Sequence, residues 1–145
     1  MMYQVSVDIP FCYGHRLLTC EGVFYDKNKC GSMHGHNAVA RIVLESGELT
    51  QFGFVVDFSK AKRDIKEWID KQWDHASILG FNDSNEISHR MCEEDKIYIM
   101  KDGEVASAEF MAKHLFGIIC NLGYASFLKS VSIFETPTSI ATYTK

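Results

Sequence analysis

The 145-residue chain lacks the marks of several large protein classes. No apolar run approaches the roughly 20 residues a bilayer-spanning helix needs. It has no internal repeat, linker or low-complexity segment, so the expectation is one domain over residues 1–145, large enough to bury a core without metal or disulfide staples. The five cysteines (Cys12, Cys20, Cys30, Cys92, Cys120) are odd in number and form no CxxC pair. With no signal peptide at the N-terminus, they read as reduced thiols of a cytoplasmic protein. An excess of positive charge is missing too. The net charge of −4 argues against nonspecific nucleic-acid binding, yet local lysines and arginines leave an anionic small-molecule substrate open. With 46% hydrophobic and 23% charged residues, a soluble enzyme or binding domain with no membrane association is what remains.

Periodicity sketches the elements. Tyr3, Val5, Val7 and Ile9 alternate with polar residues, the pattern of a half-buried strand, which Pro10 bends before it continues towards His15. A second strand covers residues 33–45, and a short third one over residues 52–58 completes a hairpin. Residues 59–73 are amphipathic, with Ala61, Ile65, Trp68, Ile69 and Gln72 on one stripe and Asp57 or Ser59 as cap. Residues 82–94 read as loop and residues 96–100 as a brief strand. A second helix spans residues 108–122, with Ser107 as N-cap, Gly123 just past its end, and Met111, Leu115, Ile118, Ile119 and Leu122 inward. Strands over residues 130–135 and 139–144 close the chain. The order predicts an α+β fold with both helices on one face of an antiparallel sheet.

The chemistry concentrates in Cys30-Gly-Ser-Met-His34-Gly-His36. On a strand, His34 and His36 project from the same face, and two neutral imidazoles suit zinc or a similar ion. His15, on the earlier strand, is the candidate third ligand. Three histidines with an open fourth position describe a catalytic zinc site. Cys30, four residues before His34, is placed near the metal, where a lowered pKa equips its thiolate as base or nucleophile. Taken alone, a His-x-His pair is more often a surface pair, and a lone cysteine a small buried hydrophobe. His89 and His114 read as surface residues, and Cys12, Cys20, Cys92 and Cys120 as inert thiols. Trp68 and Trp73 read as helix core.

Taken with Asp74-His75 and Glu135, the motifs run in order along nearly the whole chain. They resemble the 6-pyruvoyl-tetrahydropterin synthase / 6-carboxytetrahydropterin synthase family. Phe11-x-x-x-His15 looks like its first metal motif and Cys30-x-x-x-His34-Gly-His36 its second. Asp74-His75 looks like its catalytic pair, Ala106-Ser107-Ala108-Glu109 its Pro-Thr-x-Glu, and Glu135-Thr136 its pterin-recognising glutamate. Three departures are Cys12-Tyr13-Gly14 before the first histidine, Ala106-Ser107 for Pro-Thr, and Leu79-Gly80 for Leu-Asn.

The resemblance implies a tunnelling fold, with subunits joining their sheets into a barrel, usually as hexamers with interfacial active sites. It implies 7,8-dihydroneopterin triphosphate as substrate and Zn2+ as cofactor, and the short Cys30–His34 gap looks like the 6-carboxytetrahydropterin branch, which serves queuosine-type nucleoside synthesis. Cys30 would then take a proton from the substrate side chain, while His75 moves protons opposite, oriented by Asp74 if the two sit in a loop, or by a partner from elsewhere. Glu135 would accept the pterin's amine and ring N–H together. Glu109 either anchors the pterin or favours the helix dipole, and Ser107 is a cap first and a pterin contact second. Arg16, Lys27 and Lys29 are candidates for the triphosphate. The alternatives are a 6-pyruvoyltetrahydropterin synthase, a non-catalytic metal- or pterin-binding module, and a closed structural zinc site with Cys30 as fourth ligand.

Overall fold

A computed structural model describes residues 1–83 and 94–145, so His89, Cys92 and most of the expected 82–94 loop lie outside the described residues. The elements are β1 (Tyr3–His15), β2 (His34–Ser46), α1 (Phe58–Gln72), β3 (Ala76–Leu79), β4 (Ile97–Ile99), α2 (Ala108–Ile119), β5 (Leu128–Thr136) and β6 (Ser139–Thr144). They form an α+β fold around a six-stranded sheet of order β4-β3-β1-β2-β5-β6. The sheet is mixed rather than antiparallel. β1, β2, β5 and β6 pair antiparallel, while β3 runs parallel to both β1 and β4.

The core follows from the two-residue period. Val7, Ile9, Phe11, Tyr13 and His15 of β1 are buried, as are Ala38, Ala40, Ile42 and Leu44 of β2. Because β1 and β2 are paired in register from Tyr3↔Ser46 to His15↔His34, the two apolar rows lie side by side. The helices cover that face. Asp57 caps α1 by accepting from the Lys60 amide at 3.0 Å, and Ala61, Ile65 and Ile69 are its buried stripe. Trp68 and Gln72 are only half-buried. Ser107 caps α2, which buries Met111, Leu115 and Ile119. The turn after it closes at Gly123, whose φ of 100° suits glycine, and leaves Leu122 exposed rather than inward.

Three further expectations are corrected. Residues 52–58 form no strand. Both edges of β2 are already occupied by β1 and β5, so the alternating Phe52 and Phe54 have no ladder to join, and Phe52 is 73% exposed. Pro10 does not bend β1. β3 reaches only Tyr13 and Gly14, so among the described residues one edge of β1 is without a strand partner at Pro10, where a missing N–H is tolerated. His114 is buried, not surface-facing. Its Nδ1 lies 2.9 Å from Glu104 Oε2 and its Nε2 2.6 Å from Tyr98 Oη, and its ring lies beside the touching rings of Trp68 and Trp73.

Ile42 has no exposed surface and sits mid-sheet between β1 and β5. Ile42→Ala therefore lowers stability by about 2–5 kcal/mol in urea unfolding at fixed protein concentration. A loss under about 1 kcal/mol would contradict this placement.

Candidate metal centre and adjoining clefts

The β1–β2 ladder assembles the site. Paired residues of an antiparallel ladder face the same side, so His15↔His34 and Tyr13↔His36 put three imidazoles and a phenol at one end of the buried row. The His15 and His34 ring centroids are 4.6 Å apart, and His36 lies 5.0 Å from each. One ligand atom from each ring falls within 4.8 Å of the others.

Their protons are arranged for a metal. His15 Nδ1 faces the Ala106 carbonyl at 2.6 Å, and His34 Nδ1 faces the Ser32 carbonyl at 2.7 Å. A carbonyl only accepts, so each Nδ1 carries its proton and Nε2 presents a lone pair. Burial pushes the His15 pKa below the ordinary histidine value, against the Ala106 hydrogen bond and the Glu135 charge, which favours the neutral ring a metal requires. His15 Nε2 and His36 Nε2 are 3.1 Å apart, close to the roughly 3.3 Å between nitrogens on a tetrahedral ion with bonds of about 2.0 Å. The residues present fit zinc.

Glu135 comes from β5 to the same spot. Its Oε1 lies 3.5 Å from His15 Nε2 and 3.8 Å from His36 Nε2, and accepts a hydrogen bond from Tyr13 Oη at 3.1 Å. Burial first, and the Glu135 charge second, raise the Tyr13 pKa far above its usual value, so the phenol stays a donor. Glu135 also lines a cleft with Ser107, Glu109, Leu17, Ile140 and Ala141. The three residues expected at a pterin pocket thus meet there. Ser107 accepts from the Phe110 amide at 3.4 Å, while Glu109, exposed in the first turn of α2, meets both the helix dipole and the cleft.

Cys30 is carried to this end of the sheet by its loop. The Leu17 amide donates to the Cys30 carbonyl at 2.7 Å, and the Gly31 amide to the Asp26 carbonyl at 2.9 Å. A Cβ on Gly31 would stand 2.6 Å from the Tyr25 carbonyl oxygen, so the loop requires glycine there. The Cys30 sulfur is not among the ligand atoms clustered within 4.8 Å, which separates it from a closed four-ligand zinc site.

Asp74 and His75 sit in the turn between α1 and β3 and pair directly, His75 Nδ1 to Asp74 Oδ2 at 2.9 Å. The Cys12 amide donates to Asp74 Oδ1 at 2.9 Å, and the Cys12 carbonyl accepts from the His75 amide at 2.7 Å. Burial works to raise the Asp74 pKa, but the Cys12 amide and the His75 ring outweigh it and hold the carboxyl below its usual range. His75 adopts a φ of 60°, uncommon outside glycine, and its side chain is 78% exposed. It lines a cleft with Cys12, Gly14, His36, Asn37 and Ser77, and Cys30 is not part of that lining. Arg16, an expected triphosphate contact, is held by Asp83, with its Nε donating to Oδ2 at 2.9 Å.

Sequence reasoning missed Tyr13, Cys12 and the Ala106 carbonyl. Tyr13 shares the alternation of His15 and was legible from it, whereas the other two act through backbone groups that no residue type announces.

The 6-pyruvoyl tetrahydropterin synthase family model matches residues 4–145. The 6-carboxy-5,6,7,8-tetrahydropterin synthase of Rickettsia conorii is 34% identical over 141 residues, 94% of this chain and 96% of its own. The protein of the same name from Rickettsia felis is 33% identical over the same span. The solved Caenorhabditis elegans 6-pyruvoyl tetrahydropterin synthase superposes with a TM-score of 0.73 at 24% identity, covering 100% of this chain and 96% of that one, which shows a shared fold.

Two substitutions separate a ligand from a neighbour. His36→Ala weakens zinc binding by more than about 100-fold in chelator competition, beyond what outer hydrogen-bond partners cost. Cys30→Ala leaves zinc stoichiometry and thermal stability unchanged. Zinc loss together with unfolding in Cys30→Ala would make the thiol a structural ligand.

Proposed function

The chain belongs to the 6-pyruvoyl tetrahydropterin synthase family, and on that premise we propose that it is a zinc-dependent carbon–carbon lyase. It converts 7,8-dihydroneopterin triphosphate and one water to 6-carboxy-5,6,7,8-tetrahydropterin, releasing acetaldehyde and triphosphate, and serves queuosine-type (7-deazaguanine) nucleoside synthesis in the cytoplasm. The reading rests on the relatives' name and on one observation, the convergence of His15, His34 and His36 with Glu135 at one end of the sheet.

His15, His34 and His36 hold the metal. A bound zinc ion supplies Lewis acidity, lowering the pKa of substrate hydroxyls and favouring developing negative charge. Cys30, as thiolate, removes a proton from the substrate side chain beside the pterin ring. His75 carries protons on the opposite side, with Asp74 fixing its ring. Glu135 accepts the pterin's exocyclic amine and ring N–H together, a charge-assisted bidentate contact that selects this edge. Tyr13 orients that carboxylate, and Glu109 and Ser107 complete the cleft.

The active site takes residues from more than one subunit of a homo-oligomer, a hexamer in the tunnelling-fold arrangement. This is supported by the separation of Cys30 from the cleft that His75 lines. Among the described residues, open sheet edges at β4 and β6 and exposed Ile99, Phe54 and Ile140 suit partner sheets.

Incubation of zinc-loaded protein with 7,8-dihydroneopterin triphosphate yields acetaldehyde and a carboxy-pterin by mass spectrometry, and Cys30→Ala lowers kcat by about 10²–10⁴-fold with zinc retained. A 6-pyruvoyl product without acetaldehyde would assign the phosphate-eliminating sister activity instead. Zinc binding without turnover would leave a metal- or pterin-binding module.

A further inference from the structure

Cys12 has no part in the mechanism above, yet the structure gives it a defined setting. On β1 it alternates with Phe11 and Tyr13, so its thiol leaves the sheet on the face opposite the His15 row. Its own amide and carbonyl grip Asp74 and His75, the two residues after α1 and its cap. A ligand atom from each of Cys12, Asp74 and His75 falls within 4.8 Å of the other two. The cleft beside them opens to solvent across Gly14, Asn37 and Ser77, and the His75 ring is 78% exposed at its rim.

Thiolate, carboxylate and imidazole are the three side-chain donors that zinc takes. Bonds of about 2.0–2.3 Å in a tetrahedral site set ligand atoms about 3.3–3.8 Å apart. Closing a spread of at most 4.8 Å needs a shift of no more than about 1 Å, which the exposed His75 ring supplies by rotation while the backbone contacts hold Cys12 and Asp74 in place. From this we infer that Cys12, Asp74 and His75 form a second divalent-cation site, for a thiophilic ion such as zinc, on the opposite face of β1 from the three histidines.

The consequence for catalysis rests on the role proposed above for His75. A cation held there occupies the imidazole lone pair and stops His75 from carrying protons, so zinc beyond the first equivalent is inhibitory.

Cobalt titration of the metal-free full-length chain tests the site, because a thiolate ligand gives a sulfur-to-cobalt charge-transfer absorption and an all-histidine site does not. A second equivalent of cobalt develops this band in the unmodified chain and in Cys30→Ala. Cys12→Ser binds the first equivalent, loses the band and weakens the second site by more than about 10-fold. His75→Ala, altered at an exposed position, also loses it. Absence of the band in the unmodified chain, or its persistence in Cys12→Ser, overturns the site. The band with undiminished turnover under excess zinc supports the site and instead removes His75 from the proton-transfer role.

Discussion

The ladder between β1 and β2 is the constraint on which everything else depends. It pairs thirteen residues of each strand, and its last rungs are Tyr13↔His36 and His15↔His34. A slip of one residue would send His34 and His36 to the solvent face and expose Ala38, Ala40, Ile42 and Leu44 with them. The core therefore fixes the face of the site: any register that buries the apolar row also turns His34 and His36 to the side that His15 faces. β5 joins the same ladder through Val39↔Phe134, which sets Glu135 beside the histidine end. Ligands carried on paired strands hold their spacing more firmly than ligands on loops.

Burying His15 to 1% exposure has a cost that a single backbone group offsets. The Ala106 carbonyl satisfies Nδ1, and the chain leading to Ala106 is itself tied down. Glu104 meets the buried His114, and its carbonyl accepts from the Phe81 amide at 3.0 Å. Gly80 lies against the same segment, where an added Cβ would stand 3.3 Å from Val105 Cα. The start of α2 is thus locked against β3, so its cap Ser107 and first-turn Glu109 face the cleft that Glu135 lines.

Much of this was legible in the sequence where local rules dominate. The helix starts were legible, Ser107 for α2 and Asp57, one of two candidates with Ser59, for α1, because an N-cap is a short-range hydrogen bond. The three histidines were legible because strand alternation carries side-chain direction directly. What failed depended on pairing. Residues 52–58 alternate like a strand, but both edges of β2, the partner a hairpin would give them, are taken by β1 and β5. Ala76–Leu79 is too short and too fully buried to show a period, so β3 and the parallel part of the sheet went unseen. His114 looked like a surface residue on a helix because its partners Glu104 and Tyr98 are contributed from outside that helix. Cys12 read as an inert thiol because the turn that brings Asp74 to it is tertiary.

In the proposed enzyme, one end of the sheet holds a metal through imidazole nitrogen alone, leaving a coordination position for substrate. X-ray absorption at the zinc edge, on protein loaded with a single equivalent, measures this directly. Nitrogen neighbours at about 2.0–2.1 Å, imidazole back-scattering from three rings and one further light ligand are expected. A sulfur neighbour at about 2.3 Å in that first-loaded site would contradict this.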